Sequence, residues 1–118
     1  MGKLTTHLLD IASGRPAAKV HVELWADEGA EGRSLVKTAT TNADGRTDVP
    51  LLVGDAIKVG RYELVFHIGA YFAASGMTVS DPPYLDEVPV RIGIADAGSH
   101  YHVALLVSPW SYTTYRGS

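Results

Sequence analysis

Four stretches of this chain alternate apolar and polar residues with a period of two: Ala18–Leu24, Tyr62–Ile68, Val88–Ile94 and Tyr101–Val107. That period places one set of side chains on each face of an extended backbone. A chain made of several such stretches must bury one face of a sheet, because a helix cannot segregate a period of two. The punctuation between them agrees. Asp10–Pro16 (DIASGRP), the Gly- and acid-rich Asp27–Arg33, and Asn42-Ala43-Asp44-Gly45-Arg46 carry residues that cap locally or accept positive φ. Further strands are expected at Leu4–Leu9, Leu35–Thr41 and Tyr112–Arg116. Ala17–Trp25 reads as one strand with Ala18, Val20, Val22 and Leu24 on its core face. Val49–Val59 is ambiguous, broken by Pro50, Gly54 and Asp55. Gly69–Gly76 (GAYFAASG), alanine-rich and closed by glycines, fits one helix of about two turns. Seven or eight short strands with one short helix predict an all-β, antiparallel β-sandwich.

The chain is 118 residues long, which predicts a single domain over 1–118. It has no cysteine, which removes disulfides, thiol catalysis and cysteine-built metal sites. The formal net charge of −3 and the lack of a basic run argue against a nucleic-acid partner. No apolar stretch is long enough for a membrane span. Trp25, Leu106, Trp110 and Tyr112 fall on faces that should be solvated, which points to contacts between subunits.

The groups able to carry chemistry are His7, Arg46, His100, His102, Tyr115, Arg116 and Ser118. His100 and His102 share a strand face and could chelate one metal ion, with a third ligand from His7, His21, His67 or a carboxylate. Their spacing equally fits one solvated and one hydrogen-bonded histidine. Arg46 after Asp44-Gly45 reads locally as a solvated arginine closing a turn. Ser118 lacks the elbow and positioned base of a nucleophilic serine. Taken singly, these residues name no reaction.

Together they resemble a family. Leu4-Thr5-Thr6-His7-Leu8-Leu9-Asp10 with Gly14-Arg15-Pro16-Ala17, then Thr41-Asn42-Ala43-Asp44-Gly45-Arg46, resemble motifs of the transthyretin-like 5-hydroxyisourate hydrolases. So do Tyr101-His102-Val103-Ala104-Leu105-Leu106, Ser108-Pro109 and the closing Tyr115-Arg116-Gly117-Ser118; Gly69-Ala70-Tyr71-Phe72 extends the likeness to the helix. Leu8 stands where valine is more usual and Ala104 where proline is. The resemblance implies two four-stranded sheets with one short helix, assembled as a homotetramer with active sites at the dimer–dimer interface. It implies hydrolysis of 5-hydroxyisourate in purine degradation, in the cytoplasm, with no cofactor and no metal. His7, Arg46, His102 and the tail would converge. His102, with His7 nearby, would activate water; Arg46 would hold the substrate and its oxyanion; Tyr115 would contact substrate; Ser118 would position water or relay a proton. Arg116 would serve the tail structurally, and deleting Tyr115–Ser118 is expected to leave the sandwich folded. The rival implied by the same family is a small-ligand carrier without turnover.

Overall fold

A computed structural model describes residues 1–118. Its first sheet runs in the order β2 (Arg15–Pro16), β1 (Lys3–Asp10), β8 (His100–Val107), β9 (Tyr112–Gly117). A two-residue strand, β5 (Leu52–Val53), adds to the free edge of β1. The second sheet runs β4 (Arg33–Thr40), β3 (His21–Asp27), β6 (Gly60–His67), β7 (Glu87–Ile94). Helix α1 (Ile68–Ala74) follows β6 directly. The two four-stranded paths and the short helix match the expected sandwich, and β5 is the addition. One pairing departs from the antiparallel rule: β1 and β8 run parallel, from Lys3↔His100 to Asp10↔Val107. Parallel neighbours need a crossover, and here nearly the whole chain supplies it.

The alternations resolve as the period requires. Leu4, Leu8, Val22, Leu24, Leu64, Phe66, Val88, Ile94, Val103 and Leu105 all point inward and are buried. They belong to one continuous cluster of 21 buried residues between the sheets. Each such side chain stabilises the fold by roughly 1.5–3 kcal/mol relative to exposure. Removing the wholly buried Phe66 ring would cost about 3–5 kcal/mol.

Two readings of the sequence need correction. Ala17–Trp25 is not one strand, and its buried alanine is Ala17 rather than Ala18. Ala17 N–H donates to Leu8 in the first sheet, whereas Lys19 N–H donates to Thr41 beside the second. Lys19 turns the chain between them with φ of 64°. The buried Thr41 hydroxyl fixes this crossover, donating to Ala17 O at 2.7 Å and accepting from Val20 N–H at 2.9 Å. Trp25, expected on a solvated face, is half-buried. The Arg33 guanidinium lies 3.9 Å from its ring centre, and its indole N–H donates to Glu23 at 2.9 Å. Trp110 and Tyr112 are exposed as expected, and Leu106 is half-buried. No helix is long and apolar enough to cross a membrane.

Candidate active site on the outer face of the first sheet

The site is built on the free edge of β1. The short strands β5 and β2 pair with its two ends, at Lys3–Leu4 and Leu9–Asp10. Its middle is left for a single bridge between His7 and Arg46. The segment Thr41–Arg46 folds to deliver that bridge. Asn42 Oδ1 accepts from the backbone N–H groups of Asp44 and Arg46 at 2.9 and 3.2 Å, an Asx-type turn. Gly45 sits at φ of 76°, and a Cβ there would overlap the Leu8 carbonyl. Its own carbonyl accepts from Leu8 N–H at 2.9 Å. Arg46, which reads locally as a turn-closing residue, is thereby stitched beside His7. It takes part in none of the chain's ion pairs, so its guanidinium is free for an anion.

Register then gathers the other groups. Thr5 pairs with His102 and His7 with Ala104. Across β8, His102 pairs with Gly117 and Ala104 with Tyr115. Directly paired residues share a sheet face, so Thr5, His7, His102 and Tyr115 all project outward. The His102 ring packs over Gly117, where a Cβ would overlap ring atom Cδ2. The next residue, Ser118, lines a cavity of about 330 Å³ with Thr5, Arg46, His100 and His102. The His7 ring lies 6.4 Å from the His102 ring, centre to centre. Tyr115 lines a different hollow, which His102 shares with Arg91, Ile92 and Gly93 of β7. His102, Arg46 and Ser118 therefore share one cavity and His7 lies near His102, whereas Tyr115 is not brought into that cavity.

Thr5 was not singled out by the sequence. Its Oγ1 lies 2.7 Å from His102 Nδ1 and 2.8 Å from His100 Nε2. A hydroxyl has one proton to donate, so it can donate to one imidazole while accepting from the other. The chemically useful arrangement has His102 Nδ1–H donating to Thr5 and Thr5 donating to His100, which leaves His102 Nε2 as a free acceptor. Burial pushes the His102 pKa down, and the charge of Arg46, with lesser contributions from His100 and His7, adds to the shift. The result is a neutral imidazole at neutral pH.

The tail is more integrated than the sequence implied. Tyr112–Gly117 pairs with β8 residue by residue. Arg116 donates to the His100 carbonyl at 3.1 Å, and its guanidinium lies 4.1 Å from the Tyr101 ring centre. Deleting Tyr115–Ser118 would remove part of this exposed edge strand together with site groups, while the core cluster lies outside it. His21 and His67 sit on the second sheet and cannot complete a metal site with His100 and His102. Instead, the three potential ligands that do cluster are His21, Glu23 and His67. The largest hollow, about 620 Å³, lies among Asp27, Arg33, Arg61, Glu63 and Arg91. Glu63 there pairs with both Arg33 and Arg91, a surface ion-pair network away from the histidines.

A two-sheet sandwich with a parallel β1–β8 pair, one helix after β6, and this polar groove defines a transthyretin-like domain. The chain matches the HIUase/Transthyretin family over residues 4–117, and it belongs to that family. It is 55% identical over 117 residues to the 5-hydroxyisourate hydrolase 2 of Rhizobium meliloti (strain 1021), covering 99% of this chain and 97% of that protein. Among solved structures it is similar to (S)-allantoin synthase, with a TM-score of 0.92 and 47% identity over 99% of this chain. The match spans only 44% of that longer chain. Sea bream transthyretin in complex with thyroxine gives a TM-score of 0.87 at 29% identity, covering 98% of this chain and 94% of that one. The fold is thus shared with a transthyretin that binds thyroxine, and the side chains in the groove must decide between binding and catalysis.

Proposed function

We propose that this chain is an enzyme that hydrolyses 5-hydroxyisourate to 2-oxo-4-hydroxy-4-carboxy-5-ureidoimidazoline in purine degradation. The observation that carries the reading is the meeting of a neutral His102, a free Arg46 and Ser118 in one cavity, in a chain 55% identical to a named hydrolase of that substrate. The whole of residues 1–118 is taken as one hydrolase domain, supported by its single continuous core.

In this mechanism His102 Nε2 takes a proton from water as the water oxygen bonds to a ring carbonyl carbon. Proton abstraction by a neutral imidazole suits a general base working near its pKa. Arg46 holds the anionic edge of the substrate and stabilises the oxyanion with its planar fork. The ring C–N bond then breaks, and the proton held by His102 passes to the leaving nitrogen, with Ser118 positioning the water or relaying that proton. His7 contacts substrate and helps keep His102 unprotonated, and Tyr115, outside that cavity, takes no part. Thr5 positions His102 through Nδ1, and His100 positions Thr5. Every step uses side chains of this chain.

The groove is open on its outer side, and Trp110 and Tyr112 on the same hairpin are exposed at 59% and 43%. These features support a homotetramer in which a second dimer closes the groove. Light scattering should give four chains per particle at micromolar concentration, and a monomer would refute the assembly. We further propose a cytoplasmic location, as the family resemblance implies.

The carrier reading draws on the likeness to a thyroxine-bound transthyretin. A carrier has no use for a desolvated base beside an unpaired arginine. The decisive assay generates 5-hydroxyisourate in situ with urate oxidase and follows its ultraviolet decay. Accelerated decay is expected; decay at the spontaneous rate, together with binding of an iodinated phenol, would establish the carrier instead.

A further inference from the structure

We propose that His21, Glu23 and His67, on the outer face of the second sheet, form a binding site for a first-row divalent transition metal such as Zn²⁺. The site is independent of the proposed hydrolase chemistry, which uses the other sheet. Antiparallel pairing of β3 with β6 sets Val22 opposite Phe66. That register brings His21 beside His67 across the ladder, with ring centres 5.0 Å apart. Glu23 Oε2 lies 3.0 Å from His67 Nε2 and 3.8 Å from His21 Nε2. All three donor atoms fall within 4.8 Å of one another. Ligands at about 2.0–2.2 Å in a tetrahedral site stand roughly 3.2–3.6 Å apart, a spacing these two distances straddle. Small rotamer shifts would close the triangle.

A second feature aims the carboxylate. The Trp25 indole N–H donates to Glu23 Oε1 at 2.9 Å, leaving Oε2 as the atom turned to both imidazoles. Hydrogen bonds of this kind from outside the ligand set orient metal-binding carboxylates. The same bond is the largest cause of a lowered Glu23 pKa, which burial opposes and His67 reinforces. The carboxylate is therefore ionised and ready to act as a ligand. Two imidazoles and one carboxylate suit Zn²⁺, Co²⁺ or Ni²⁺, whereas Ca²⁺ and Mg²⁺ prefer sets of oxygen ligands. A cavity of about 240 Å³, bordered by His21, His67, Tyr71 and Ser75, adjoins the cluster and leaves room for a water as fourth ligand. All three side chains are partly exposed, so an ion can reach them from solvent. A metal here would tie β3 to His67, the residue from which α1 starts. From α1, Tyr71 donates to the buried Asp10 of β1 at 2.8 Å, so the ion would brace the contact between the two sheets.

The test titrates chelator-stripped full-length protein with Zn²⁺ by calorimetry near neutral pH. It is repeated on Glu23→Gln, which keeps the shape and the Trp25 acceptor, and on His21→Asn at a surface position. We expect one Zn²⁺ per chain, a higher thermal midpoint with metal, and binding at least about 10-fold weaker in each variant. Co²⁺ should give visible absorption bands of a tetrahedral site that both variants lose. Absence of Zn²⁺ binding by the unmodified chain would overturn the proposal, leaving Glu23 as a simple hydrogen-bond partner of His67. Equal binding by the unmodified chain and both folded variants would also overturn it, because the ion would then sit on the His100–His102 face. Turnover of His21→Asn is expected to stay unchanged, so the result stands whatever the first sheet catalyses.

Discussion

Each outer face of the sandwich carries clustered histidines, and their neighbours make them different chemical groups. On the first sheet, His102 is surrounded by Arg46, His100 and His7, and its ring is bonded to a hydroxyl. Burial and positive neighbours both favour its neutral form, so it can accept a proton. On the second sheet, His21 and His67 flank the ionised carboxylate of Glu23. An anion between two imidazoles attracts a cation. The proposed roles differ accordingly, a base on one sheet and a metal ligand or ion-pair partner on the other. Histidine count and spacing in the sequence do not separate these roles; the charge of the adjacent strand does.

The largest expected effect tests that division directly. Replacing a general base typically costs 10²–10⁴-fold in rate, so His102→Gln should lower kcat/KM for 5-hydroxyisourate by about that factor. His21→Asn on the other face should leave it unchanged. Thermal midpoints of both variants must stay close to the parent for the comparison to hold. Equal losses in the two variants would erase the distinction between the faces.

A smaller effect is expected from Gly117→Ala, a position that carries no reacting side chain but packs against the His102 ring. The new methyl would overlap His102 Cδ2, so the ring must shift from the position it holds against Thr5. Displacing a catalytic group by about 1 Å can cost on the order of 10²-fold. We expect such a loss in kcat with the circular dichroism of the sandwich retained, because Gly117 lies at the end of an edge strand. Unchanged turnover would mean that the position of the His102 ring does not matter, and the base would then have to be sought at His7.

Gly117 also marks where sequence reading stopped. The alternations of Tyr62–Ile68 and Val88–Ile94 foretold strands, faces and core, because a period of two is a local property. The break at Lys19 was hidden, since its positive φ follows from Ala17 bonding one sheet and Thr41 the other. Thr5 could not be found, because its role depends on the parallel register with β8, a pairing between residues 97 apart in sequence. Residue resemblance did bring His7, Arg46 and His102 into one list, and the β1 edge explains their meeting physically. The His21–Glu23–His67 cluster escaped notice for the same reason as Thr5: Glu23 and His67 are 44 apart, and only the β3–β6 ladder joins them.

The smallest expected effect is a displacement of the pH profile, and it examines why His102 differs from its counterparts. Its folded pKa lies below the ordinary imidazole value of about 6.5. The base therefore stays unprotonated as pH falls through that value, and the acid limb of kcat/KM should lie below it. Arg46→Gln removes one positive neighbour, so protonating His102 becomes easier and the limb must move to higher pH. Burial is the larger cause and is untouched by that change, so the limb should move only part of the way and remain below the ordinary value. Arg46→Lys keeps the charge and should leave the limb in place, even where loss of the planar fork lowers the rate. The amplitude of the profile reports oxyanion stabilisation, while its midpoint reports the field at His102. A limb at or above the ordinary imidazole value in the parent protein would show that His102 is not a desolvated base. A downward shift in Arg46→Gln would show that the arginine does not act on it electrostatically.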